Sequence, residues 1–380
     1  MIHCVILSRG LPSIKYPLNG IFEFDQARAL KAIGHEVTYV GLDYRSFFKI
    51  RRFGFFKVYK DGIKCILFSF PIGNIELPIF NLLARYITKI GLFLYKKEFK
   101  NLNIIHSHFY QISSLAVEFK KSLKIPLIIT EHSSTLNKEK INTTTLRLVK
   151  YVYHYSDLII SVSEALRSRL KRNFNIESVV IYNVLDINFK NKPEHYNQVT
   201  DENDFVFLSV GTLNYNKGFD ILIEAFYISC FPTHVKLIII GDGELKEELN
   251  SYVIKKKLEN QVLLVGFKNR NAISDYLANS NAFVLASRSE TFGLVYVEAL
   301  SAGLPVIATK CGGPEEIINE TNGILVDVDD IKSLSVALIK MRGNPNTYSR
   351  SEISAQAYAK YSPENIAHKL THVYYNVLQL

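Results

Sequence analysis

No apolar stretch in this chain of 380 residues approaches the roughly 20 that cross a bilayer as a helix, which sets aside helical channels and transporters. Met1-Ile2-His3-Cys4 runs straight into a strand-like segment without a basic leader, so a cytoplasmic chain is expected. Cysteine is scarce. Cys4, Cys65, Cys230 and Cys311 are scattered without metal-ligand spacing and read as small reduced core residues, not as a disulfide framework. After the first strand-like segment, residues 2–7, come Ser8-Arg9-Gly10 and a loop through Asn19-Gly20. The missing Gly-x-Gly-x-x-Gly argues against a dinucleotide-dependent oxidoreductase. Low-complexity tracts and short-period repeats are absent, and no nucleic-acid reading motif accompanies the basic charge.

What is present is an ordinary globular composition, 48% hydrophobic and 21% charged, over a length that suits two domains with a core each. The net charge of +9 is uneven: 27 of the 45 Lys and Arg, but only 14 of the 36 Asp and Glu, precede residue 187. Residues 45–60 interleave Arg45, Lys49, Arg51, Arg52, Lys57 and Lys60 with phenylalanines, and a helix-like segment at 77–100 ends in lysines. That mixture suits the boundary of an anionic bilayer, which makes a membrane surface a candidate partner; a basic loop before a core helix is the other reading. Nucleic acid is not an expected partner.

Apolar segments at 2–7, 36–41, 104–106, 126–130, 158–161 and 179–181, with a helical pattern at 22–33, predict an α/β unit with a parallel sheet. The polar residues 188–204 read as part of a linker. A second α/β unit opens with residues 205–210, then Gly211-Thr212-Leu213-Asn214-Tyr215-Asn216-Lys217-Gly218 and a helix from Phe219, a loop suited to cradling phosphate. His106 and His108 lack a third metal ligand and are given a structural or acceptor-side role. His132 ends its strand at the carboxyl edge, where open α/β sheets gather ligands. Asp327-Val328-Asp329 precedes a helical pattern and reads as a helix cap.

The most informative stretch is residues 281–318. An apolar run at 282–286 leads through Ser287-Arg288-Ser289-Glu290-Thr291 to Gly293, after which Leu294, Val297 and Leu300 recur at helical spacing; Gly303 ends the helix and a second apolar run follows. This is a βαβ unit. Glu290 and Glu298 flank the backbone N–H groups of Thr291, Phe292, Gly293 and Leu294, an anion site at a helix N-terminus. Two carboxylates would repel a phosphate placed on them, yet suit hydroxyls on either side of one. A sugar and a ribose joined by phosphate describe a nucleotide sugar.

Glu290 and Glu298 with the seven residues between them, together with the following EALSAGLPVIAT and GGPEEI, resemble the Glu-x7-Glu signature of retaining GT-B-fold glycosyltransferases, family 4 (group 1). The resemblance implies that Glu290 contacts hydroxyls of the donor sugar and Glu298 those of the ribose. It further implies that Lys217 neutralises the diphosphate and that His132 faces the donor sugar. Gly20 and Gly211 would lie near the donor phosphates, and Phe267 at the edge that holds the base. Thr212 stands where members often have arginine, and Tyr182 and Val184 depart from the interdomain Ile-Pro-Asn-Gly-Val-Asp.

The expected fold is therefore GT-B: two Rossmann-like domains facing a central cleft. Residues 1–186 are expected to bind acceptor, 187–204 to link, 205–362 to bind the nucleotide sugar and 363–380 to cross back onto the first domain. Glu290, Lys217 and His132 are the candidate catalytic residues, with no cofactor or metal. The expected activity is transfer of a hexosyl-type sugar to a glycan or lipid-linked acceptor in cell-surface polysaccharide or lipopolysaccharide synthesis, by a protein that is cytoplasmic or peripheral on the membrane. A GT-B epimerase or hydrolase would need acid/base residues that the first half does not display. A non-catalytic scaffold has only the Thr212 and Val184 departures behind it.

Overall fold

The computed structural model describes residues 1–73, 75, 77–137, 141–186, 189, 204–344 and 347–379. It divides into two compact units, residues 1–184 with 363–380, and residues 185–362. Of the expected linker, 187–204, all but Phe189 and Asp204 lies outside the described residues.

The first unit runs β1 His3–Ser8, α1 Ile21–Ala32, β2 Glu36–Asp43, β3 Gly54–Lys60, β4 Ile63–Ser69, α2 Leu77–Leu94, β5 Ile104–His108, α3 Tyr110–Leu123, β6 Leu127–Glu131, α4 Thr143–His154, β7 Leu158–Ser161, α5 Glu164–Phe174 and β8 Val179–Val180. Its sheet has the order β3-β4-β2-β1-β5-β6-β7-β8, parallel except for β3 against β4. The central strands are covered on both faces: every residue of β1 and β5 is buried, including the polar His106, Ser107 and His108 that end β5. β3 and β4 form a hairpin that the segment list from sequence did not contain. Asp61 and Gly62 make its turn, both with positive φ (48° and 67°).

The second unit runs β9 Phe205–Val210, α6 Phe219–Ile228, β10 Val235–Ile240, α7 Lys246–Lys255, β11 Val262–Leu264, α8 Arg270–Ala278, β12 Ala282–Leu285, α9 Leu294–Ser301, β13 Val306–Thr309, β14 Gly323–Val326, α10 Ile331–Gly343 and α11 Arg350–Tyr361. Its six strands are parallel in the order β11-β10-β9-β12-β13-β14. The cap of α10 is Asp330, whose side chain accepts from Ser333 N. That corrects the expectation for Asp327 and Asp329, which pair instead with Lys310 and Arg288. Asp330, one residue farther on, holds the N-cap position.

The last helix, α12 Pro363–Leu378, belongs to the first unit. Its Ile366, Ala367, Leu370, Val373 and Tyr374 are buried in one cluster with Phe24, Ala27 and Leu30 of α1 and Ile6 of β1.

Each sheet has one place where the chain reverses direction of growth, between β1 and β5 in the first and between β9 and β12 in the second. The carboxyl ends of strands at such reversals leave a crevice where ligands of open α/β sheets bind. Gly20 follows β1 at the first of these points, and Lys217, Glu290 and the start of α9 follow β9 and β12 at the second.

Candidate active site

In the second unit, the loops after β9 and β12 are stitched together. Arg288 N donates to Asn216 O at 2.8 Å, and Asn216 Nδ2 donates to Ser289 O at 2.7 Å. Between them Gly218 takes φ +63°, and a Cβ there would lie 2.0 Å from Ala286 O, so only glycine lets the loops approach this closely.

The stitching brings Lys217 and Glu290 together. Lys217 Nζ lies 2.5 Å from Glu290 Oε1, which also accepts from Ser287 Oγ at 2.8 Å. Glu290 is fixed from behind as well: its N–H donates to Cys311 O and its carbonyl accepts from Gly313 N, at 3.2 and 3.1 Å. Both side chains are mostly enclosed, 21% and 11% exposed, where an ion pair is weakly screened.

Thr291, Phe292 and Gly293 turn the chain into α9, with Gly293 as N-cap at φ +89°. The side chains of Phe292 and Leu294 are buried, so ligand contact from this turn falls to its backbone. Glu298 is buried on α9 just over one turn from its start. Thr212 is exposed in the loop after β9, beside Gly211, whose N–H is used by Ile240 O. Phe267 is 51% exposed beyond the edge strand β11, two strands from β9.

Arg288, in the loop after β12, is one cation that could replace the arginine absent at Thr212. It is instead committed to neighbouring elements, with Asp220 of α6 at 2.7 Å, Asp329 after β14 at 2.8 Å and the Tyr215 ring 3.9 Å from its guanidinium carbon. Its charge is matched by two carboxylates, whereas Lys217 has Glu290.

In the first unit, Gly20 caps α1 at φ +75° and packs against Gly10, where the Tyr39 hydroxyl donates to the Gly10 carbonyl at 2.8 Å. Its role is close backbone approach. At the ends of β5 and β6, three imidazoles stack in series: His106 on His108 with centroids 4.9 Å apart, and His108 on His132 at 5.1 Å. His106 is tied off by Thr130 and the Tyr374 hydroxyl. His108 Nδ1 and His132 Nε2 share a hydrogen bond of 2.8 Å. Neither His108 Nε2 nor His132 Nδ1 has a hydrogen-bond partner among the described residues. Whichever ring donates, the pair therefore presents one donor and one acceptor.

Burial holds His106 and His132 down at about 3 and His108 well below the ordinary histidine range, with the Arg9 charge adding to the effect at His108 and His132. All three are neutral at neutral pH. Because their folded values are depressed, their stabilising contribution is complete above the unfolded value near 6.5 and is lost as pH falls below it. Urea unfolding is expected to show a loss of about 2 kcal/mol per imidazole between about pH 7 and about pH 5. A His132→Gln variant should lose less over that interval; an unchanged slope would show that the cluster is not its source.

Glu131 lies next to His132 at the end of β6. It is wholly buried and accepts four hydrogen bonds: His132 N at 3.0 Å and Ser133 N at 2.8 Å on Oε1, Tyr110 N at 3.0 Å and the Tyr153 hydroxyl at 2.9 Å on Oε2. The sequence signal was a carboxylate closing a run of buried strand residues. Arg9 was missed too; it stacks 3.8 Å over Phe109 and pairs with the buried Glu23 at 3.1 Å. Among the described residues no group of three His, Cys, Asp or Glu side chains is arranged to hold a metal ion.

Residues 191–360 match the family of glycosyl transferases group 1, and residues 24–189 match Glycosyltransferase Family 4. An uncharacterized glycosyltransferase of Methanocaldococcus jannaschii is 34% identical over 250 residues, covering 65% of this chain and 67% of that one. The Campylobacter jejuni N-acetylgalactosamine-N,N'-diacetylbacillosaminyl-diphospho-undecaprenol 4-alpha-N-acetylgalactosaminyltransferase is 33% identical over 203 residues, 51% of this chain and 53% of its own. Among solved structures, Anabaena HepE in complex with UDP and glucose superposes with a TM-score of 0.77 at 21% identity, over 98% of this chain and 99% of that one. At that identity the last likeness is one of fold.

Proposed function

The chain belongs to the GT-B-fold glycosyltransferases, which act on nucleotide-sugar donors, and from that premise we propose a retaining, metal-independent transfer. A hexosyl-type sugar passes from a nucleotide-diphosphate sugar to a glycan or lipid-linked acceptor in cell-surface polysaccharide or lipopolysaccharide synthesis. A lipid-linked acceptor has support in the Campylobacter jejuni relative, whose name carries a diphospho-undecaprenol-linked substrate. The reaction is placed in the cytoplasm.

The observation that carries this reading is the Lys217–Glu290 pair at the reversal point of the second sheet, beside the start of α9. Before donor arrives, each partner satisfies the other. On binding, Lys217 moves its charge onto the diphosphate, and Glu290 is released to accept hydrogen bonds from sugar hydroxyls. Glu298 takes the ribose hydroxyls, and the backbone from Thr291 to Leu294 adds the helix N-terminal field.

In the transfer step the bond from the anomeric carbon to the phosphate oxygen breaks, and its electron pair leaves with the diphosphate. The acceptor oxygen bonds to the same face of that carbon, and its proton passes to the departing phosphate oxygen. Lys217 stabilises the charge that develops there. His132, neutral, is assigned a hydrogen bond to a sugar hydroxyl.

A thermal-shift screen of nucleoside diphosphates and UDP-, GDP- and ADP-sugars, run with chelator, tests the reading, because a ligand bound only by the folded state raises its stability. A selective shift is expected, with Glu298→Ala weakening donor binding by about tenfold through loss of charge-assisted hydrogen bonds. A shift that appears only with added Mg²⁺ would remove metal independence. No shift with any nucleotide would remove the donor site.

A further inference from the structure

We propose that the outer face of α2, with the adjoining loop of residues 45–53, is a docking surface for an anionic lipid bilayer. α2 is apolar on two sides. One side is the expected inward one: Ala84, Thr88, Gly91 and Leu92 are buried, Thr88 Oγ1 lies 3.1 Å from the Tyr44 hydroxyl, and the Phe68 ring fills the space of a Cβ at Gly91. The other side carries Ile79, Leu82, Tyr86, Ile90 and Phe93, spaced by three and four residues and between 37% and 79% exposed. A surface helix ordinarily turns polar residues there, and an apolar stripe left in the open marks a contact surface.

The loop continues the surface. Phe47, Phe48 and Ile50 are 57%, 71% and 70% exposed. Gly73, shortly before α2, packs so tightly on the backbone of residues 44–46 that a Cβ would lie 2.5 Å from Ser46 N. Loop and helix start are therefore neighbours.

Charge selects the occupant. Residues 77–97 contain Arg85, Lys89, Lys96 and Lys97 and no acidic residue, and residues 44–60 contain six Lys and Arg and no acidic residue. The structure also sorts these cations. Arg51 is structural: its guanidinium donates to the carbonyls of Asp43, Arg45, Ser46, Lys49 and Phe70 and pairs with Asp43 at 3.0 Å. Arg45 pairs with Asp43 and Lys57 with Glu98. Lys49, Arg52, Lys96 and Lys97 have no carboxylate partner among the described residues. Aromatic and aliphatic side chains bordered by unpaired cations match an acyl boundary beneath anionic headgroups, with lysine stems lying along the apolar surface. At 18 residues, α2 would lie in that plane for about 27 Å. No helix among the described residues is long and apolar enough to cross a membrane.

Co-sedimentation with vesicles of phosphatidylglycerol and phosphatidylcholine, against phosphatidylcholine alone, tests the surface. The wild type should sediment with the anionic vesicles and be released by salt. Leu82→Ser/Tyr86→Ser/Phe93→Ser should partition at least about tenfold less, and Lys49→Ser/Arg52→Ser/Lys96→Ser/Lys97→Ser should lose the preference for anionic lipid. All seven side chains are on the outside, so the thermal midpoint is expected to hold, and the donor-induced shift should persist in both variants whatever the lipid result. A wild type that stays in the supernatant, equal binding to both vesicle types, or undiminished binding by the apolar variant overturns the proposal. So does a concentration-dependent dimer, seen by light scattering, that the apolar variant disperses, because the face then belongs to a second copy.

Discussion

Lys217→Ala is expected to lower turnover by about 10²- to 10³-fold, the scale seen when one group that stabilises a developing oxyanion is removed. Two terms act in the same direction. Under the proposed assignment the departing diphosphate loses the cation of Lys217, and Arg288 does not stand in, being held between Asp220 and Asp329. Glu290 also loses Lys217 as a partner in a nearly enclosed position, which sets its carboxylate against the incoming phosphate. Donor binding should weaken less than turnover, because the nucleoside end is held by other groups; initial rates over a donor series separate the two. Lys217→Arg is the informative companion. It keeps charge but needs a wider fork, and rescue to within about tenfold of wild type would place the effect in charge rather than in loop structure. Equal losses in both variants would point to the loop.

Glu131→Ala is expected to destabilise the protein by about 4 kcal/mol, because three backbone N–H groups and a tyrosine hydroxyl lose their shared acceptor inside the first unit. Chemical denaturation reads this directly. Glu131→Gln should cost less: its carbonyl still accepts from His132 and Ser133, while its amide faces the Tyr110 N–H, a donor against a donor. The two forms also differ in pH response. Burial raises the folded pKa of Glu131 in spite of the four donors. A raised carboxylate favours the protonated folded state, so its stabilising contribution is complete below the unfolded value and falls away as pH rises through the folded one. The glutamine variant should lack that decline. A fall of the same size in Glu131→Gln would assign it to another group.

Much of this architecture was legible in the chain. Segments that are buried on both faces, such as β12 and β13, announce themselves as short, largely apolar runs, and the turn Glu290-Thr291-Phe292-Gly293 sits where the apolar period changes from strand to helix. The β3–β4 hairpin was harder. β3 is an edge strand whose side chains are half exposed, so its phenylalanines and lysines read equally well as a basic loop, although Asp61-Gly62 is a recognised turn signal. The Lys217–Glu290 pair joins residues 73 positions apart, and nothing local to either one predicts their meeting. Glu131 shows the same limit from the other side. A buried carboxylate is visible in sequence only as a charge out of place, and its four donors come from two helices, α3 and α4, and from the loop after β6. Arg51 looked like any other surface cation until its carbonyl partners were in view.

The return of α12 to the first unit has a consequence for how the protein comes into being. Phe24, Ala27 and Leu30 leave the ribosome early, yet the residues that cover them, from Ile366 to Tyr374, are made after the whole second unit. During vectorial synthesis the amino-terminal unit therefore waits with part of its apolar interior uncovered, while residues 205–362 can collapse as soon as they emerge. At the usual rate of about 5–20 residues per second that wait lasts on the order of ten seconds or more. The nascent chain is thus a client for holding chaperones over an interval set by the length of its second unit, and loss of the final helix would leave that interval without an end.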